Sequence, residues 1–243
     1  MSQGPELAPL AVAALIRRER LAQASRLLRG VVHNLAGALQ MLRLPLDLLE
    51  LRLAQGQVED LSARFGSLQN GFARVQAEVE LLGARANQLQ PAEAAEVDLA
   101  RLAGEQLAFW RGDMYFKHEA QARTSLPALA EKAAAPYQDA ALAFNVLVAN
   151  ALESLAQAGA HGLSVRYLQK DGLCLLEVAD DGPGPSAEMA GRMFEPFTGD
   201  KGPEHDGLGL FLAQEALAPW GGRVHWRADP GPCFVLAIPQ AKR

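Results

Sequence analysis

The chain has 243 residues, with 23 basic against 28 acidic side chains and a net charge of −5. That length suffices for one large domain or two modest ones, each able to bury a core. The acid excess argues against nucleic acid or an anionic membrane as the main partner, because no basic face offsets it.

The longest apolar run near the start, Leu7 to Ile16, contains Pro9 and ends at Arg17-Arg18-Glu19-Arg20. It is too short to cross a bilayer and lacks the pattern of a secretory leader, and no other segment reads as a membrane span, so a soluble, cytoplasmic chain is expected. From about Pro9 to Glu50 the sequence is helical in composition. Apolar residues recur at Leu28, Val32, Leu35, Leu39, Leu42, Leu46, Leu49 and Leu53 in steps of four and three, a heptad seam that asks for partner helices. With Val32 and Leu35 as the a and d positions, His33 is a b position and points to solvent. Pro45 removes a hydrogen bond in mid-helix and predicts a kink.

The seam breaks at Ala54-Gln55-Gly56-Gln57, where a glycine favours a helix stop. A second seam follows at Val58, Leu61, Phe65, Leu68, Phe72, Val75, Val79, Leu82, Ala86 and Leu89. Two such helices joined by a tight turn form an antiparallel hairpin with one half-covered apolar face, and pairing of two hairpins into a four-helix bundle would cover it. Residues 83–96 lose the heptad, turn small and polar, and contain Pro91. The organisation expected is a helical hairpin over 1–90, a linker over 91–96 and a second domain over 97–243.

In the second domain a short strand begins at Val97-Asp98-Leu99, and an amphipathic helix runs to about Phe109. A polar turn lies near Arg111-Gly112-Asp113, a weak strand over Glu119 to Ser125, and a helix over Tyr137 to Ala156. Strands near Leu163 to Leu168 and Leu173 to Val178, a helix from Leu208 to about Leu217 and a hairpin near Gly222 to Ile238 complete an α/β sandwich. Cys174 and Cys233 sit in strand-like apolar runs, where buried thiols rather than a disulfide or metal ligands are expected, as suits a reducing compartment.

The stretch from Glu177 to Leu212 carries the chemistry. A strand ends at Asp180-Asp181-Gly182-Pro183-Gly184, the apolar knot Met193-Phe194-Glu195-Pro196-Phe197 precedes a polar run from Thr198 to Asp206, and Gly207-Leu208-Gly209-Leu210 opens a helix. Glycines at a strand end and a helix start let backbone amides approach a polyanion, and the first helical turn adds unpaired N–H groups and a positive dipole end. Either cluster alone is usually just a turn. Upstream, NVLVANALESLAQAG places a polar Asn150 among apolar neighbours.

This ordered set resembles the ATP-binding domain of sensor histidine kinases, members of the GHKL group of ATPases, nearly continuously from about Val97 to Pro239. The resemblance implies ATP and Mg²⁺ as cofactors. It makes Asn150 the side-chain ligand of Mg²⁺ and Asp180 the acceptor for the exocyclic amine of adenine. Gly182 and Gly184 belong to the first glycine motif, and Gly207 and Gly209 to the second. A carboxylate at Asp180 discriminates adenine from guanine, and a neutral amide oxygen suits Mg²⁺, which takes few protein ligands. Lys201 in the lid could add charge beside the β- and γ-phosphates or be a solvated loop lysine; His205 reads better as a loop residue.

The hairpin resembles the dimerisation and phosphotransfer domain of the same kinases, which implies a homodimer and makes His33 the phosphoacceptor, the other reading being an ordinary surface histidine. Departures narrow the expectation. Asn34 stands where an acidic residue usually follows the acceptor, and an amide orients an imidazole but cannot act as a base. With Gly37 four residues after His33 and no proline five residues after it, autokinase activity is expected to be slow or dependent on a partner, and the usual phosphatase activity is in doubt. Val146 occupies the position of the water-activating glutamate of hydrolytic relatives, so ATP is expected as a phosphoryl donor.

The expected function is a histidine kinase of a two-component system that phosphorylates His33 with Asn34 beside it, then a response-regulator receiver domain. Its signal would arrive through an upstream sensor protein or the amino-terminal helix. The alternative is a nucleotide-binding regulatory or phosphorelay dimer with little autokinase activity.

Overall fold

The computed structural model describes residues 7–54, 61–88, 96–199, 206–228 and 231–242. Helix α1 (Pro9–Ala54) runs for 46 residues and continues through Pro45, and α2 (Leu61–Gln88) lies antiparallel beside it. The register is set by contacts such as Arg74 Nη1 donating to Met41 Sδ at 3.2 Å, and Leu42 Cδ2 lies against Gly71. The seams split by heptad phase. Leu28, Leu35, Leu42 and Leu49 on α1, with Leu68, Val75 and Leu82 on α2, are half-buried. Val32, Leu39 and Leu46, with Phe65, Phe72 and Val79, are exposed. One hairpin thus covers one phase of each a/d repeat and leaves the other exposed, because a single partner helix can cover only one side of the seam.

The second unit starts at β1 (Val97–Asp98), which pairs antiparallel with β3 (Lys132–Ala133). Leu99, expected in the strand, is already helical, because Asp98 caps α3 (Leu99–Trp110) by accepting the Arg101 N–H at 2.9 Å. Asp113 caps the short α4 (Met114–His118) in the same way, accepting the Phe116 N–H at 3.0 Å. The remaining elements are β2 (Gln121–Ser125), α5 (Tyr137–Ala158), β4 (Gly162–Lys170), β5 (Leu173–Asp180), α6 (Ala187–Arg192), α7 (Gly209–Leu217), β6 (Arg223–Arg227) and β7 (Cys233–Pro239).

Five strands form one sheet in the order β2-β4-β5-β7-β6, with β2 parallel to β4 and every other pair antiparallel. Alternation along β5 sends Cys174, Leu176 and Val178 toward the helices, where Phe144, Leu147 and Leu155 of α5 and Phe109 of α3 fill the core. On the opposite parity Glu177 is 4% exposed yet satisfied: Arg166 donates to Oε2 at 2.9 and 2.6 Å, and Arg227 pairs with Oε1 at 2.8 Å. A buried carboxylate is tolerated only with partners of this kind.

Cys174 and Cys233 are free, buried thiols. Cys174 faces Ile238 and Cys233 faces Ala179, which puts them near opposite ends of the β5–β7 ladder and beyond bridging distance. The expectation that no segment has the length of a membrane span needs correction. The 22 residues of α5 pass that test by length and hydropathy, but 72% of the window is buried in this core, where a helix that is apolar on nearly every side packs against both sheet and neighbours.

Candidate nucleotide site

A cavity of ≈ 410 Å³ lies between α5, the end of β5, the start of α7 and the amino-terminal part of α1. That volume is within the range of small-molecule sites. Asn150, Asp180, Gly184, Gly207 and Gly209 all line it, although 59 residues of sequence separate the first from the last. Two further α5 side chains, Glu153 and Ser154, stand in the same wall, since positions three and four apart share a helix face.

Asp180 ends β5, and its Oδ1 accepts the Gly182 N–H at 2.9 Å. The local turn bond and the cavity-lining position coexist in one carboxylate. Gly182 itself does not line the cavity; it packs against Ser154, whose hydroxyl leaves no room for a Cβ. Gly184 has φ +68 and passes beneath Trp226 and Pro232, whose nearest atoms would stand 3.4 to 3.5 Å from a Cβ. Trp226 and Phe234 add apolar wall on this side, suited to the face of a base.

At the other end, Gly207 has φ +61, and a Cβ there would be 2.7 Å from both Thr198 N and Thr198 O. Only glycine lets the chain close on itself at this point. Phe197, at the base of the same closure, is a non-glycine residue at φ 60 and is exposed, whereas Phe194 packs on the core. Helix α7 then starts at Gly209, aiming the unpaired N–H groups of a nine-residue helix at the cavity. Val146 lines the cavity at 3.4 Å from a Cβ on Gly209. The place of a water-activating glutamate is therefore filled by an aliphatic group.

Lys201 and His205 lie outside the described residues, as do 91–95 of the expected linker. His33 is exposed on α1 and Asn34 is half-buried; neither lines the cavity. The expectation of a solvent-facing imidazole agrees with this placement, but His33 and the cavity are not brought together in this arrangement.

Two features escaped the sequence. Trp110 and Asn145 line the cavity and begin a buried relay: Trp110 Nε1–H donates to Asn145 Oδ1 at 2.9 Å and Asn145 Nδ2 to Gln106 Oε1 at 2.9 Å. Gln106 Nε2 then donates to Tyr137 OH at 3.0 Å, and Tyr137 OH to Glu105 Oε2 at 2.8 Å. This network locks α3 to α5 behind the site. The available signal was an amide, Asn145, inside the apolar run from Ala140 to Ala149 of α5; buried amides need partners. The other feature is the α1 wall, made by Leu15, Arg18, Glu19, Ala22 and Gln23, for which no local signal exists.

Residues 137–242 match the family described as histidine kinase-, DNA gyrase B-, and HSP90-like ATPase. Sensor histidine kinase ZraS of Klebsiella oxytoca is 27% identical over 231 residues, 93% of this chain and 48% of that protein. Sensor protein kinase PilS of Pseudomonas aeruginosa is 36% identical over 104 residues, 40% of this chain and 19% of that protein. The C4-dicarboxylate transport sensor protein DctB of Rhizobium meliloti is 35% identical over 98 residues, 39% of this chain and 15% of that protein. The chain thus spans half or less of the length of these relatives. Among solved structures, the nucleotide-free catalytic domain of histidine kinase ThkA superposes with a TM-score of 0.50 at 21% identity, covering 62% of this chain and 100% of that one, a likeness of fold. Residues 137–242 are a domain of the histidine kinase-, DNA gyrase B-, and HSP90-like ATPase family, and with the helical hairpin ahead of it the chain has the layout of, and is similar to, the core of sensor histidine kinases.

Proposed function

We propose that the chain binds Mg-ATP in this cavity and transfers the γ-phosphoryl group to His33, from which it passes to an aspartate of a response-regulator receiver domain. The observation that carries the reading is the convergence of Asn150, Asp180, Gly184, Gly207 and Gly209 on one cavity in a chain whose hairpin displays His33. The cavity suits the group: Asn150 offers a neutral oxygen, fit for an ion that otherwise keeps water and phosphate ligands, and α7 offers N–H groups to the phosphates. When bound, Mg²⁺ would supply charge neutralisation between the phosphates, and Asn150 would hold it.

In the transfer, an imidazole nitrogen of His33 forms the N–P bond, the bond from phosphorus to the β,γ-bridging oxygen breaks, and ADP leaves. The ring N–H proton goes to solvent, because Asn34 cannot accept it. In the second step a carboxylate oxygen of the receiver takes the phosphorus and the N–P bond breaks. Positioning and charge neutralisation are the chief sources of rate in such a transfer. The working form is a cytoplasmic homodimer that takes its signal from an upstream protein; the exposed phase of both seams supports the pairing. Asn34 favours a second reading, a nucleotide-binding relay dimer with little autokinase activity.

Incubation with γ-labelled ATP and Mg²⁺ distinguishes them. Wild type takes up acid-labile label and His33→Gln takes none, while Asp180→Asn, which keeps an oxygen for the Gly182 N–H, binds ATP about tenfold or more weakly through loss of a charged acceptor. ATP binding without label selects the relay; acid-stable label, or equal label on His33→Gln, defeats the proposal.

A further inference from the structure

The first half of α1, through the start of the seam at Leu28, lies along the ATP-binding domain. Val31 is 1% exposed and belongs to that domain's core. Gly30 meets Gly112, in the turn between α3 and α4, backbone to backbone. A Cβ on Gly112 would stand 3.0 Å from Gly30 Cα, and one on Gly30 would overlap the Gly112 carbonyl group. Three turns earlier Arg20 pairs with Asp139 Oδ1 in the first turn of α5, and Oδ2 of the same carboxylate accepts Trp220 Nε1–H at 3.0 Å. Asp139 is 9% exposed, so departure of α1 would strip a mostly buried carboxylate of its cation. The α1 wall of the nucleotide cavity, from Leu15 to Gln23, lies to either side of the Arg20 fastening and ahead of the Gly30 one.

Helix geometry then locates the acceptor. From Ala22 to His33 is eleven residues, about three turns and 20°, so the two share a helix face, and at 1.5 Å per residue they are roughly 16 Å apart along the rod. In-line transfer needs reacting atoms about 3 to 3.5 Å apart. His33 faces the correct side of α1 but sits past the cavity.

We propose that residues 9–31 of α1 are an intramolecular strap, clasped by Arg20 on Asp139 and seated by Gly30 on Gly112, which walls the nucleotide cavity and holds His33 out of reach until it is released. Its existence rests on packing; its action as a brake rests on the phosphotransfer reading above. A pull on the amino-terminal end of α1 would open the clasp before the seat, which gives an upstream partner a point of control.

Two variants of the full chain test it by different physics. Arg20→Ala removes the cation of the clasp. Gly30→Ala drives a methyl group into the Gly112 carbonyl while favouring the helix itself, so lost docking cannot be put down to a melted helix. Hydrogen exchange read by mass spectrometry should accelerate about tenfold or more through residues 9–31 in both variants, with α5 and the sheet unchanged. Initial His33 labelling at saturating ATP should rise about threefold or more. Equal exchange in wild type and both variants overturns the strap; faster exchange with equal or slower labelling overturns the brake. Absence of label from all three proteins would refute the phosphotransfer reading, and the strap would then stand or fall on exchange alone.

Discussion

Leu39→Glu tests the pairing of two hairpins. Val32, Leu39 and Leu46 are 57%, 51% and 47% exposed, and Phe65, Phe72 and Val79 are 57%, 65% and 52% exposed, so about half of each side chain waits to be covered. Full burial of such a side chain contributes about 1.5–3 kcal/mol, so the uncovered half is worth ~1 kcal/mol, and twelve of them in a symmetric pair ~12 kcal/mol. Association costs ~4–15 kcal/mol in lost freedom, so the seam is of the right size to decide between monomer and dimer. Glutamate at position 39 enters a symmetric interface twice. It removes ~2 kcal/mol of burial and adds two carboxylates to desolvate, for a loss of ~5 kcal/mol or more, which is over a thousandfold in the dissociation constant. Sedimentation equilibrium from about 1 to 100 µM protein should show wild type as a dimer and Leu39→Glu as a monomer of equal helical content. Gln40→Glu, at an exposed neighbouring position outside both seams, should remain a dimer. A dimeric Leu39→Glu, or a wild type that is monomeric throughout, refutes the reasoning.

Gly207→Ala should impose ~1–3 kcal/mol of backbone strain at φ +61 and push Thr198 away from the base of the lid. ATP affinity measured by calorimetry should fall tenfold or so, with Tm lower by about 2–10 °C; unaltered affinity would contradict the role given to the closure. His225 has its pKa held below the ordinary 6.5, first by burial and then by the Arg223 and Arg227 guanidinium groups, against a weaker pull from Glu177. The unfolded chain therefore takes up this proton at higher pH than the folded one, and its share of stability is full above pH 6.5 and drains as pH falls through the folded value. Replacing His225 with glutamine should flatten the decline in Tm between about pH 7 and 5; parallel curves would show that the ring does not titrate as described.

Much of the architecture was legible because its signals are local. Heptads mark helices, and the split of Leu39 from Leu42 into exposed and half-buried phases follows from a pattern with more apolar positions than one partner helix can cover. Helix boundaries follow from single residues: Asp98 caps α3, and Gly159 at φ 63 ends α5. The short elements β3, α4 and α6, of two to six residues, carry too few positions for a period to register.

The sequence alone determined the longer helices and strands and marked the glycines and polar residues that stand together at the cavity, because backbone conformation and side-chain chemistry are read within a few positions. Only the tertiary structure decided that β2 lies parallel to β4, that Trp110 and Asn145 line the cavity, and that the first half of α1 lies across it with Arg20 on Asp139, 119 residues away. Such contacts are chosen by shape and charge between surfaces that form only after each unit has folded, and no periodicity in the chain encodes them.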